Sequence, residues 1–161
     1  MRSRTDAPTA VISINSSRDA KSHTVTPATD LALILRKLSP KLTEGRWVFC
    51  VAREMPGALT CTPLMSFREP EGLTLVVPKA AAQSLGLRSS ELYRQIILTV
   101  HSSLEAVGVT AAVSSALADA GISCNIVAAF YHDHVFVRDV DAERALEVLK
   151  VLSANSEQNA T

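Results

Sequence analysis

The loop Ser102 to Val109, reading SSLEAVGV, holds the first residues of this chain with an evident chemical use. It follows the apolar, β-branched run Ile96-Ile97-Leu98-Thr99-Val100. After it, Val109, Val113 and Leu117 recur every four positions among alanines. That pattern predicts a strand, Gln95 to His101, that the loop joins to a helix, Val109 to Ala120. A helix start exposes N–H groups without carbonyl partners and carries partial positive charge, so a small ligand's carboxylate is stabilised there. Gly108 allows close backbone approach, and Ser102 and Ser103 add hydroxyls. The plainer reading is that Gly108 only shapes the turn and the serines only satisfy local backbone. Glu105 would oppose a bound carboxylate unless it meets the ligand's ammonium or points to solvent.

A second cluster is Tyr131-His132-Asp133-His134, with His101 and Cys124 as neighbours by expectation. His-x-His on an extended segment puts both imidazoles on one face and can bind a transition metal if a third ligand such as His101 converges. The same residues also suit an ordinary polar hairpin. A third is Phe67-Arg68-Glu69-Pro70-Glu71-Gly72, where Arg68 could pair with a ligand carboxylate and Glu69 or Glu71 with an ammonium, although such charges usually decorate a solvated hairpin tip. Catalytic triads, nucleophile elbows and phosphate-cradling glycine loops are absent from the sequence. The expectation is a non-enzymatic protein with no catalytic residues, metal or cofactor. Cys50, Cys61 and Cys124 have no C-x-x-C spacing and read as reduced, buried thiols.

The elements that must position these groups come from a chain of 161 residues, 47% hydrophobic but only 4% aromatic, so the core is built from Val, Leu, Ile and Ala. Basic and acidic residues balance at 16 each, which removes the long-range field that would draw the chain to nucleic acid or anionic lipid. There is no apolar run of about 18 residues, and MRSRTDAPTA lacks the apolar centre of a secretory signal. The expectation is a cytoplasmic protein with no nucleic-acid or membrane partner.

In order, Thr29 caps a helix carrying Leu31, Ile34, Leu35 and Leu38 on one face, and Pro40 ends it. Glu44-Gly45 makes a turn, Arg46 to Ala52 a strand, and Leu64 to Arg68 with Leu73 to Val77 a hairpin across Pro70-Glu71-Gly72. Pro78 opens a short helix to Leu85 that Gly86 closes. The second half follows with the strand from Gln95, the helix from Val109 stopped by Gly121, strands Ile122 to Phe130 and His134 to Arg138, and a helix Asp141 to Ser153. The first half therefore reads α-β-β-β-α and the second β-α-β-β-α. Each is one terminal strand short of a β-α-β-β-α-β unit. Two solutions remain open: exchange of strands between the halves, or pairing with a second chain as a homodimer.

The block Leu104 to Val113, followed by Leu117-Ala118-Asp119-Ala120-Gly121-Ile122-Ser123 and Asn125-Ile126-Val127, resembles an ACT domain. With Phe67 to Pro78 upstream and Tyr131 to Val137 downstream, the chain resembles more narrowly a family of small stand-alone bacterial proteins with two ACT-like units. The resemblance implies an α+β fold of two ferredoxin-like units packed together, antiparallel sheets with helices on one face. The implied organisation is an extension at 1–28, disordered or loosely attached, units at 29–92 and 93–153, and a flexible tail at 154–161. It also implies a regulatory module that binds a small amino-acid-like ligand where two units meet. The matching positions are Val107, Gly108 and Val109 in the loop, Asn125 and Ile126 on the strand. The alternatives are a structural assembly module without ligand and, third, a histidine-based metal site.

Overall fold

The structure is a computed structural model that describes residues 27–99 and 107–158. Its elements are α1 (Pro27–Arg36), β1 (Ser39–Ala52), β2 (Met65–Glu69), β3 (Gly72–Pro78), α2 (Lys79–Ser84), β4 (Tyr93–Thr99), α3 (Val109–Asp119), β5 (Cys124–Ala128), β6 (Asp133–Arg138) and, after a single 3-10 turn, α4 (Ala142–Gln158). Among the described residues the strands form one antiparallel sheet in the order β2-β3-β1-β4-β6-β5.

The two middle strands each serve both halves of the chain. Taken from one end, β2-β3-β1-β4 is the strand order of a ferredoxin-like unit, with β4 as the fourth strand. From the other end, β5-β6-β4-β1 is the same order, with β1 as the fourth strand. Of the two solutions open to the sequence, sharing strands within one chain is the one present.

That sharing makes β1 much longer than its sequence pattern suggests. The strand begins at Ser39, not Arg46, and runs through Pro40. Proline is tolerated because β3 engages β1 only from Trp47 onward, leaving Ser39 to Leu42 with a partner, β4, on one side alone. Thr43-Glu44-Gly45 is not a turn but a bulge, where the β1–β4 register shifts between Leu42 and Arg46. Side chains pin it: the Arg94 guanidinium donates to the Thr43 carbonyl at 2.8 Å, and the Thr43 hydroxyl donates to the Gln95 carbonyl at 3.2 Å. β5 covers Cys124–Ala128 rather than Ile122 to Phe130, and two further differences concern the helices. α1 starts at Pro27, which puts Thr29 inside its first turn rather than at the cap, and α4 continues past Ser153 to Gln158.

Side chains alternate across a sheet, and one face carries the helices. Over β4 and β6, Leu35 of α1, Leu38 in the link beyond the end of α1 rather than on its face, Val113 and Leu117 of α3 and Leu149 of α4 pack on Ile96, Leu98, Val135 and Val137. Over β1 and β3, Ala82 of α2 packs with Val48, Cys50, Leu75 and Val77. α3 ends as its sequence predicts: Gly121 takes a left-handed φ of 69°, and the Ile122 N–H closes back on the Leu117 carbonyl at 2.9 Å.

The opposite face carries Phe49, Val76, Gln95, His134 and Phe136, and no described helix covers it. Even so, Val76 and Phe136 are 0% and 1% exposed. Curvature explains this. Leu64 and Met65, at the start of one outer strand, line the same cavity as Val127 and Ala129 at the other end of the strand order. The face is concave, and the Phe49 ring lies edge-on to Tyr93 and Phe136, with centroids 5.2 and 5.6 Å away.

Leu117 is fully enclosed under the helix layer, so Leu117→Ala should cost about 2–5 kcal/mol in urea unfolding. Val113→Asp, which puts an unpaired charge in the same core, should prevent cooperative folding altogether.

Candidate functional site

α3 starts on a backbone arranged for anion contact. Gly108 is its N-cap at φ 99°, with no side chain capping the first turn. The first bond within the helix runs from the Ala112 N–H to the Gly108 carbonyl at 2.9 Å, so the N–H groups of Val109, Thr110 and Ala111 have no acceptor inside the helix. Val107, just before the cap, is 82% exposed, whereas the Val109 side chain is buried and only its backbone can serve a ligand. Gly108 is fixed by two constraints. Its positive φ disfavours a side chain, and a Cβ there would lie 3.0 Å from Cδ2 of Leu31 on α1. The space beside its Cα is thus filled by α1 rather than left for a ligand.

Asn125 and Ile126 lie on β5, an outer strand, and point to opposite faces. Ile126 pairs with Val135 and packs into the helix-side core, while Asn125 pairs with Phe136 and is exposed on the concave side. The side chain of only one of them can meet a given ligand. Ser102 and Ser103, together with His101 and Glu105, lie outside the described residues.

The histidine cluster does not assemble as a metal site among the described residues, where no group of three or more His, Cys, Asp or Glu converges. His134 Nδ1 lies 2.8 Å from Gln95 Nε2 across the β4–β6 pair. His132 has a buried Nδ1 without a hydrogen-bond partner among the described residues. Burial pushes the His134 pKa below its ordinary value, the positive charge of a nearby protonated His132 pushes the same way, and Asp133 opposes both. At the β2–β3 tip, the Thr74 hydroxyl donates to the Glu69 carboxylate, while Arg68 and Glu71 are exposed. Cys50 is buried and Cys61 and Cys124 are half-buried, all three as free thiols, and burial raises the Cys50 and Cys124 pKa values.

Sequence reasoning passes over the cavity on the concave face. Leu64, Met65, Val127, Ala129 and Phe136 form its walls, and Gln95 and His134 supply its polar groups. The available signal was Gln95 itself, a lone amide at the start of a β-branched run, which ends up 5% exposed.

The ACT domain family matches this chain twice in tandem, over residues 26–94 and 92–151. A solved protein of unknown function from Vibrio cholerae, described as a possible transport protein, is 45% identical over 80% of this chain and 99% of its own, with a TM-score of 0.71. An Agrobacterium tumefaciens protein, 18% identical over 73% of this chain and 90% of its own, superposes with a TM-score of 0.62. The ligand-free regulatory subunit of aspartate kinase from Thermus thermophilus, 13% identical over 72% of this chain and 98% of its own, does so at 0.52. No curated protein matches the chain. Fold and comparisons together define a tandem ACT-type protein, α+β, with two ferredoxin-like units in one sheet. The chain belongs to the ACT domain family, whose general role is that of a regulatory, ligand-binding module. No helix among the described residues is long and apolar enough to cross a membrane.

Two outcomes follow from this geometry. Because folding depresses the His134 pKa, the unfolded chain takes up a proton first as pH falls. Stability should be full above the ordinary value of 6.5 and decline below it, toward the lower folded value. Urea melts across pH 5 to 8 should show this decline, and His134→Gln should flatten it. Gly108→Val should cost more than about 1 kcal/mol, from the strained φ and the collision with Leu31, as read by thermal unfolding.

Proposed function

We propose that this chain is a non-enzymatic regulatory module that binds a small amino-acid-like ligand where two ACT-like units, 29–92 and 93–153, meet. The observation that carries the reading is the uncapped start of α3 in a chain matched twice by the ACT family. The ligand's carboxylate accepts hydrogen bonds from the N–H groups of Val109, Thr110 and Ala111 and gains from the helix dipole. Val107 and Gly108 form the rim of the site. Ser102 and Ser103 contribute hydroxyls, and Asn125 and Ile126 contribute through the backbone of the outer strand β5, the Asn125 amide being turned to the concave face. The regulatory subunits of aspartate kinase share this fold, which supports a sensing role without fixing the ligand.

Ligand binding has a mechanical route into the rest of the protein. Leu31 of α1 rests on Gly108, and α1 is tied to α4 through the Ser153 hydroxyl, which donates to the Arg36 carbonyl at 3.3 Å. A ligand that shifts the loop therefore shifts α1 against α4. A second reading, assembly as a homodimer without ligand, is favoured by the outer edges of β2 and β5 and by the exposed Phe130 and Tyr131 at the β5–β6 turn.

A thermal-shift screen against the proteinogenic amino acids, nucleotides and divalent metals tests the first reading, because a ligand of the folded state alone raises the melting temperature. An amino acid should produce the shift. Val107→Asp should abolish that shift while leaving stability equal or higher, since an acidic group beside a helix start adds about 0.3–1 kcal/mol yet repels a carboxylate. If no amino acid acts and sedimentation finds a stable dimer, the assembly reading takes its place.

A further inference from the structure

The concave face holds a cavity of ≈ 140 Å³ that the α3 site does not use. An apolar cavity of about 150 Å³ accepts a benzene-sized ring, so the size suits one small apolar body. The walls are Leu64, Met65, Val127, Ala129 and Phe136, and the only polar side chains among the described lining are Gln95 and His134. Burying an amide and an imidazole under a face without helices is costly unless both are hydrogen-bonded, and here they are bonded to each other.

Gln95 turns its Nε2 toward His134 and its Oε1 toward Thr43, whose hydroxyl lies 3.4 Å away and gives its one proton to the nearer Gln95 backbone carbonyl at 3.2 Å. An amide nitrogen is a donor, so His134 Nδ1 must be the acceptor, and the neutral ring carries its proton on Nε2. That N–H has no protein acceptor among the described residues, and none of the described lining residues is acidic. A ligand here must bring an acceptor rather than a donor or a positive charge.

We propose that this cavity is a second binding site, separate from the start of α3, for a small molecule with a benzene-sized apolar body and one hydrogen-bond acceptor that receives the His134 Nε2 proton. Its two polar contacts come from β4 and β6, a paired couple of strands, and its walls come from both ends of the curled sheet. Its polar groups are therefore held by paired strands, with Leu64 and Ala129 closing the wall from just outside β2 and β5.

The test titrates the full chain at pH 7.5 with benzoate, toluene and benzylamine while amide resonances are followed. Benzoate should move the amides of Val127, Ala129 and Phe136 and bind about tenfold more tightly than toluene, the increment expected of one hydrogen bond. Benzylamine should not bind. Ala129→Phe, which fills the cavity from a turn whose own bond is backbone to backbone, should weaken benzoate at least tenfold. Val127→Phe serves the same purpose if the first variant does not fold. His134→Phe should bring benzoate and toluene to equal affinity, while Val107→Asp should leave benzoate binding unchanged and so separates this site from the α3 loop. Unmoved amides, undiminished binding in a folded cavity-filling variant, or benzylamine binding as well as benzoate would each overturn the proposal.

Discussion

The antiparallel pairing of β1 with β4 is the contact on which the rest of this protein depends. Both strands belong to both halves, so neither half has a complete sheet without it. The pairing is interrupted by a bulge, and the arithmetic of that bulge matters. From Leu42 to Arg46 is a step of four on β1, and from Ile96 to Arg94 a step of two on β4. Both steps are even, so Leu42, Val48 and Cys50 stay on the face shared with Ile96 and Leu98. An odd mismatch would have turned Val48 and Cys50 away from the helices and Trp47 and Phe49 toward them. The bonds from Arg94 and Thr43 across the bulge hold the one register in which both cores can form.

From that register follow two faces with different physics. The helix-bearing face is close to wholly apolar, and its stability comes from Leu, Ile and Val on regular elements. The concave face mixes aromatic rings with Gln95 and His134, which are enclosed by the curl of the sheet rather than by a second layer. Gln95 and His134 are bonded to each other there, while Trp47 Nε1 on the same face is buried without a hydrogen-bond partner among the described residues. Above the bulge, Asp139 meets Arg46 at 3.0 Å and Arg94 at 3.8 Å, so the strand pair is tied at that end by charge as well. Arg46 is largely exposed, and its share of that tie is small.

What the sequence made legible was local. The four-residue spacing of Val109, Val113 and Leu117 located α3 and its buried side, and Gly121 located its end, because a helix and its cap are settled within a few residues. The ferredoxin-like order followed from the element pattern and the ACT resemblance. β1 was misjudged because Pro40 and Glu44-Gly45 are breakers in a local reading. Their tolerance depends on which strand lies on each side, a fact fixed far away at Trp47 and Thr99. The pairing of His134 with Gln95 was hidden for the same reason: 39 residues separate them, and only the β4–β6 register brings them together. Asn125 and Ile126 were grouped by adjacency, yet neighbours on a strand face opposite ways.

The two proposed sites lie on opposite sides of β4, which limits how they could influence one another. α3 follows β4 in the chain and packs on its helix-side residues, while Gln95 points from the same strand into the concave cavity. Any influence carried by β4 would require the strand to move, and β4 is paired along its length to β6 and over most of it to β1. A slide by one residue would expose Ile96 and Leu98 and bury polar neighbours, a change far larger than small-ligand binding can drive. α1 is held instead by apolar packing, with Leu35 in the core and Leu31 and Ile34 against it, and has no strand ladder to fix it. It touches Gly108 through Leu31 and is bonded to α4 by the Ser153 hydroxyl, so the helix layer is where occupancy of the proposed α3 site would become movement.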